Sequence, residues 1–149
     1  MPNRTWTILF LCSRNSCRSQ MAEGWARHLK HNEILPYSAG TEAGGVDPRA
    51  VQVMAEAGID ISHQHSKTVA GLAGVRFDCV ITLCDHGRES CPLFPGGTPI
   101  IHAGFDDPPH LAAGAKTDEE ALAHYRRVRD EIRSFVETLP GALTDRRDG

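Results

Sequence analysis

Short apolar runs alternate along the chain with stretches of helical period. Trp6–Leu11 is apolar at every position but Thr7 and is followed at once by turn-type residues, which predicts a buried strand. Over 18–30 the period changes. Met21, Trp25 and Leu29 recur every four residues with Ala22 and Ala26 alongside, the stripe of a helix. Ile34–Ala39 is a second strand, closed by Gly40. Asp47-Pro48 starts the next helix, a capping side chain followed by proline at the first helical position. Val51, Met54 and Ala57 form its apolar face, and Gly58 ends it. Strands are expected over 77–83 and 99–103, with a short helix near 66–72. Thr117 and Glu120 make a capping box. The helix they open carries Val128, Ile132, Phe135, Val136 and Leu139 on one face.

Strands alternating with helices predict an α/β fold with a four-stranded parallel sheet covered on both faces. Ligands bind such sheets outside the carboxyl ends of the strands. Cys12 ends the first strand and Cys84 the third, so the architecture brings these two cysteines to one rim. No repeat or low-complexity stretch interrupts the order, and 149 residues suit one domain, 1–149.

Composition narrows the classes. Hydrophobic content of 40% and charged content of 23% are those of an ordinary globular chain. A net charge of -3 argues against a nucleic-acid-binding face while allowing a local anion site. The run Trp6–Leu11 is too short for a signal-peptide core, and nothing approaches the ~20 apolar residues of a membrane span, so a cytoplasmic protein is expected. Thiols stay reduced there, and five cysteines, an odd number, read as chemistry rather than staples.

Cys12-Ser13-Arg14-Asn15-Ser16-Cys17-Arg18-Ser19 lies between a strand and a helix. A loop so placed can aim consecutive N–H groups at one point with a helix N-terminus behind them, an oxyanion cradle. Arg18 adds a planar fork of donors suited to a tetrahedral oxyanion. A thiol at the centre of that field is favoured as thiolate, and Ser19 can donate to its sulfur. A buried structural role for Cys12 is the bland alternative, weakened by the C-x5-R spacing. Cys17 and Cys79 are expected to be structural.

Cys84 and Cys91 admit three readings: two unrelated cysteines, a zinc site assisted by His86, or a redox pair. The zinc reading lacks a C-x2-C pair and would draw its third sulfur from Cys12. In the redox reading, a helical segment would hold the two residues ~10.5 Å apart along its axis. A disulfide needs Cα atoms within ~7 Å, so oxidation would unwind the segment. Asp107-Pro108 follows the fourth strand, where a carboxyl group can protonate a leaving hydroxyl; a plain Asp-Pro turn is the alternative. Arg126, Arg127 and Arg129 read as a solvated helix face, Trp25 as core, and His28 and His31 as cations favoured near a helix C-terminus, while the other six histidines lack metal-ligand spacing.

The string Asn15-Ser16-Cys17-Arg18-Ser19-Gln20-Met21-Ala22-Glu23-Gly24, with C-x5-R-S near the start of a chain of this length, resembles the thioredoxin-coupled arsenate reductases of the low-molecular-weight protein tyrosine phosphatase-like family. The likeness extends to Tyr37-Ser38-Ala39-Gly40, Gly58-Ile59-Asp60-Ile61-Ser62 and Phe105-Asp106-Asp107-Pro108. It implies a three-layer, low-molecular-weight phosphatase-like fold. It also implies a relay in which Cys12 attacks arsenate, Asp107 acts as acid, and Cys84 and then Cys91 resolve. Ser13, Arg14, Asn15, Ser16, Cys17, Arg18 and Ser19 would bind the oxyanion, with phosphate or sulfate as mimics, and thioredoxin would be the reducing partner. Arg14 stands where the resembling reductases usually carry glycine, placing an extra cation near the oxyanion. Many of them hold potassium behind the loop. The matching Asn15, Glu23 and Ser38 are here joined by Lys67, which replaces an aspartate and is expected to pair with Glu23 in the ion's stead, so no metal is expected. The reading calls for no cofactor, no nucleic acid and no membrane, and expects a monomer. The alternative is a phosphatase using Cys12, Arg18 and Asp107 alone. Pro109-His110, where tyrosine phosphatases usually place tyrosines, disfavours it. A non-enzymatic arsenic-binding or redox-sensing protein would need neither Arg18 nor Asp107.

Overall fold

The computed structural model describes residues 5–84 and 97–143. In chain order the elements are β1 (Trp6–Leu11), α1 (Arg18–Leu29), β2 (Ile34–Ala39), α2 (Pro48–Glu56), a 3₁₀ turn (Val69–Leu72), β3 (Cys79–Thr82), β4 (Ile100–His102), α3 (Pro108–Ala112) and α4 (Asp118–Glu137). The four strands form one parallel sheet in the order β2-β1-β3-β4. The chain leaves β1 toward one edge and returns past it to β3. The order therefore reverses between β1 and β3, the place where such sheets open a crevice.

β1 is central because it is apolar on both faces. Ile8 and Phe10 face a large core that takes Met21, Trp25 and Ala26 from α1, Val53 and Met54 from α2, and Val128, Ile132 and Val136 from α4. Leu9 and Leu11 face a smaller cluster with Ala39, Phe77 and Val80, which Val69 and Leu72 of the 3₁₀ turn help to cover. Each fully buried apolar side chain contributes ~1.5–3 kcal/mol, so the sheet is anchored chiefly through its helical face. β2 is an edge strand and tolerates Pro36, since an edge strand is paired on one side only, whereas every N–H of a central strand faces a neighbour.

The capping signals act as their chemistry predicts. Asp47 Oδ1 accepts from Arg49 N at 2.9 Å with Pro48 at the first helical position. Thr117 Oγ1 accepts from Glu120 N at 3.0 Å, although Glu120 Oε2 accepts from Lys116 N rather than closing the box on Thr117. Several expectations shift. α2 ends at Glu56, so Ala57 lies exposed beyond it, and its buried face is Ala50, Val53 and Met54, with Val51 packed at the margin. Gly58 takes the left-handed φ of +85° that ends the helix cleanly. The third and fourth strands are shorter than expected, and Asp107-Pro108 opens the short helix α3 instead of a loop. The arginines of α4 are tied down. Arg126 pairs with Glu56 and Glu119, Arg127 with Asp106 and Glu131, and Arg129 donates to Val53 O at 2.9 Å. They clamp α4 to α2 and to the loop before α3. Among the described residues no helix is long and apolar enough to cross a membrane.

Candidate active site

The 12–17 loop joins β1 to α1 at the crevice. Its conformation is set from outside, through its carbonyls. Ser13 O accepts from Thr41 N at 3.0 Å, Glu42 N at 3.2 Å and Thr41 Oγ1 at 2.9 Å. Arg14 O accepts from Gly44 N at 2.9 Å, Asn15 O from Gln20 Nε2 at 3.0 Å, and Ser16 O from Asp47 N at 2.9 Å. A trans peptide points its carbonyl and the following N–H in opposite directions. Drawing the Ser13, Asn15 and Ser16 carbonyls outward therefore turns the N–H groups of Arg14, Ser16 and Cys17 toward the mouth of the loop. Gly40 makes the close fit possible: a Cβ there would lie 2.7 Å from Cys12 O and 2.8 Å from Ser13 O.

Asn15 adopts a left-handed φ of 50°, a strained choice that side-chain bonds must hold. Its Oδ1 accepts from Lys67 N at 2.8 Å and Gln20 Nε2 at 3.0 Å. Its Nδ2 donates to Ser19 Oγ at 2.8 Å. The Ser19 oxygen accepts from Asn15 and lies 2.9 Å from Cys12 Sγ, within reach to donate its own proton to a thiolate there. Cys12 is 3% exposed. Arg18, the first residue of α1, is buried and spans the rim: Nη1 donates to Leu83 O at 3.3 Å and Phe105 O at 3.1 Å, and Nη2 lies 3.7 Å from Asp107 Oδ1. Asp107 stands at the N-cap position of α3 but makes no side-chain cap bond to it. Cys12, Ser13, Arg14, Ser16, Cys17, Arg18, Asp107 and Pro109 enclose a cavity of about 100 Å³. That is below the ~300 Å³ at which pockets for larger organic ligands begin, and suits a small ion. Larger hollows, among them one of about 490 Å³ beside Leu72 and Phe77, lie away from Cys12 and Arg18.

Cys84 is buried just beyond β3. Leu83 N donates to Leu11 O at 2.8 Å, so the ends that carry Cys12 and Cys84 leave adjacent strands side by side. Cys91 lies outside the described residues, as does His86. Cys17 is buried in the main core, where burial, then Asp47 and Cys12, push its thiol well above the usual range against the opposing pull of Arg18. Cys79 is buried in β3. Arg14 does not add its charge to the cavity in the way expected. Its side chain is 63% exposed, lies along Gly44 and sits 3.6 Å from Glu42 Oε1.

Behind the loop, Glu23 accepts from Arg27 Nη2 at 2.7 Å and from Ser38 Oγ, and Lys67 Nζ stands 3.9 Å from its Oε1. Lys67 Nζ donates to His65 O at 2.7 Å. Burial holds the Lys67 ammonium below its usual range, with Glu23 opposing and Arg27 reinforcing. A carboxylate already shared by two side-chain cations and a hydroxyl does not fit a potassium ion. Arg27, not Lys67, is its closer partner, a pairing foreshadowed by the i,i+4 spacing from Glu23. Gln64 completes the network, donating to Gln20 Oε1 at 2.8 Å and accepting from Arg27 at 3.0 Å. Gln20 and Gln64 carried no signal as separate residues, because their value lies in a contact between segments 44 positions apart. Among the described residues no group of three or more His, Cys, Asp or Glu side chains could hold a metal ion.

The family model of the low molecular weight phosphotyrosine protein phosphatases matches residues 7–147. The arsenate reductase of Halalkalibacterium halodurans is 50% identical over 132 residues, covering 89% of this chain and 93% of that protein. That of Bacillus subtilis is 47% identical over 135 residues, covering 88% and 95%. A solved arsenate reductase in its phosphate binding state superposes with a TM-score of 0.72 at 34% identity, covering 91% of this chain and 96% of the other. A low molecular weight protein tyrosine phosphatase from T. tengcongensis shares the fold, with a TM-score of 0.68 at 23% identity, covering 91% and 97%.

Proposed function

Since the chain belongs to the low molecular weight phosphotyrosine protein phosphatase family, we propose that it uses this fold as an arsenate reductase with a three-cysteine relay. The observation that carries the reading is the meeting of two strand ends. Cys12 sits at the floor of an oxyanion loop, and Arg18, which closes that loop, is bonded to the carbonyl of Leu83, the residue before Cys84. Hydrolysis of a phosphate ester gives a second buried cysteine at this rim nothing to do. Reduction gives it a role, because the two electrons that arsenate takes up can come from a pair of thiols. Relatives named as arsenate reductases, near 50% identical over most of the chain, support the same reading.

In the proposed cycle the loop amides and Arg18 hold arsenate, with phosphate or sulfate as mimics. The Cys12 thiolate attacks arsenic and Asp107 protonates the departing hydroxyl, which leaves as water. Cys84 then attacks Cys12 Sγ. The sulfur–arsenic bond breaks toward arsenic, which is reduced from As(V) to As(III) and leaves as arsenite, while the two sulfurs are oxidised to a Cys12–Cys84 disulfide. Cys91 attacks Cys84 and expels Cys12 as thiolate, so the disulfide passes to Cys84–Cys91 and the nucleophile is reset. Ser19, oriented by Asn15, donates to the Cys12 thiolate and so stabilises it in both roles, as nucleophile and as leaving group. Thioredoxin is the proposed reductant of the final disulfide, and the enzyme acts as a single cytoplasmic domain, 1–149, and a monomer.

The test is disulfide mapping after incubating reduced protein with arsenate. Wild type is expected to give Cys84–Cys91 and Cys91→Ser to stop at Cys12–Cys84. Arsenite forming while all three thiols remain reduced would overturn the relay. Aryl-phosphate hydrolysis undiminished in Cys84→Ser, with no arsenite from wild type, would return the protein to the phosphatases.

A further inference from the structure

The Ser16–Cys17 peptide is the last of the loop before α1, and Ser16 and Cys17 both line the anion cavity. Its carbonyl is drawn outward by Asp47 N at 2.9 Å, which turns Cys17 N–H inward. The direction of one oxyanion donor therefore depends on where the backbone of Asp47 is held. Both carboxylate oxygens of Asp47 are used to hold it. Oδ1 accepts from Arg49 N at 2.9 Å, and Oδ2 accepts from Tyr125 Oη at 2.6 Å. Tyr125 is 2% exposed and reaches this point from α4, 78 positions along the chain. Burial and the bond to Asp47 hold its hydroxyl above the usual phenol range, so it remains a donor at every working pH.

We propose that Tyr125, acting through Asp47, is a positioning residue for oxyanion binding: it fixes the backbone N–H that holds the Ser16–Cys17 peptide with Cys17 N–H facing the bound anion. Tyr125 touches no reacting atom. Its hydroxyl orders Asp47, Asp47 orders the peptide, and the peptide presents the donor. The inference rests on the loop being an oxyanion site, and is independent of the later disulfide steps. A merely structural pair, tying α4 to α2, would affect stability without affecting anion affinity, and that difference is measurable.

The experiment titrates inorganic phosphate into the full-length ¹⁵N-labelled protein and follows the Cys17 amide resonance. Tyr125→Phe deletes only the hydroxyl. Ile132→Val, a buried change on the same helix, serves as a control, because trimming one methylene from a core lowers stability without touching the hydrogen bond. Tyr125→Phe is expected to weaken phosphate binding roughly fivefold, the scale of one ordering hydrogen bond, and to shrink the Cys17 amide shift at saturation. Ile132→Val is expected to lower the unfolding midpoint similarly and to leave phosphate affinity within about twofold, since it keeps the hydrogen bond. Phosphate affinity and Cys17 response unchanged in Tyr125→Phe, or reduced equally in Ile132→Val, overturn the inference. Arsenate turnover is measured on the same samples. Wild type that binds phosphate but forms no arsenite defeats the reductase reading and leaves this one standing.

Discussion

Two Asp-Pro pairs begin helices on either side of the anion loop, and they spend their carboxylates differently. Asp47 folds back onto α2, accepting from Arg49 N with one oxygen and from Tyr125 with the other. Asp107 begins α3 with proline in the same place, yet it makes no cap bond to its own helix and stands 3.7 Å from Arg18 Nη2 instead. A cap is worth ~1 kcal/mol, so the second site forgoes local stability and turns its carboxyl toward the cavity. The same dipeptide thus caps its helix in one place and turns its carboxyl toward the cavity in the other. The distinction lies in whether the helix's own amide or a buried arginine faces the oxygen.

The largest effect that sharpens this contrast is expected at Asp107. Asp107→Asn should lower arsenite formation by ~10²-fold or more, the range of a lost general acid, while shifting the unfolding midpoint little, since no cap is removed. A destabilised variant with near-normal turnover would make Asp107 a second Asp47. Arg18→Lys comes next. Lysine keeps the charge but loses the fork that reaches Leu83 O, Phe105 O and Asp107 at once, and turnover should fall by ~10²-fold. Phosphate binding, titrated in parallel, should weaken with it; a lysine variant that turns over as wild type would mean that charge alone is needed. Asp47→Ala should reverse the pattern of Asp107, with a stability loss of ~1–2 kcal/mol in urea and a smaller loss of turnover than either site above.

The contrast also marks what the sequence makes legible. The strand ends, the helix starts and the C-x5-R-S loop follow from local period and spacing, which is why the sequence alone groups Cys12, Arg18 and Ser19. Cys84 followed from topology, because a parallel sheet puts the ends of successive strands on one rim. The Tyr125–Asp47 bond and the chain from Gln64 through Gln20 to Asn15 are contacts between distant segments, and no local period encodes them. Arg14 lines the cavity, but its charge lies elsewhere. A cation two positions from a nucleophile looks functional in a string of letters, but its long side chain runs outward to Glu42. α3 was hidden for a third reason: five residues are too few to display a helical period.

Cys17, held between these features, gives a smaller and pH-dependent test. Burial, with Asp47 next, raises its folded thiol above the unfolded value. A raised group contributes stability that is complete below the unfolded pKa, ~8.5 for a thiol, and is lost as pH rises toward the folded one, because the unfolded chain ionises first. Wild-type stability should therefore fall above about pH 8.5 more steeply than that of Cys17→Ala, by at most ~1.4 kcal/mol per pH unit. Parallel curves for the two proteins would show that the thiol is not held protonated by the fold. Tyr125, also raised, adds its own loss only near and above pH ~10, so the two contributions separate along the axis.

The smallest expected effect concerns a third committed carboxylate. Glu23 is buried behind the loop and, like Asp47, has its oxygens in use: Arg27 at 2.7 Å, Ser38, and Lys67 at 3.9 Å. A monovalent cation would have to displace an ammonium or a guanidinium to reach it, and would leave that charge half-buried without its partner. Exchanging sodium for potassium salts at constant ionic strength should accordingly change arsenate turnover by less than about twofold, as screening alone depends on ionic strength and not on the ion. Lys67→Asp inverts the charge beside Glu23 and places two carboxylates where one now stands. That variant should gain a response to potassium which wild type lacks, because only then does the cluster carry the surplus of oxygen ligands and negative charge that a hard cation requires. Equal potassium responses in the two proteins would mean that Glu23 is less committed than its contacts indicate, and that the rear of the loop, unlike its Asp47 flank, is open to ions.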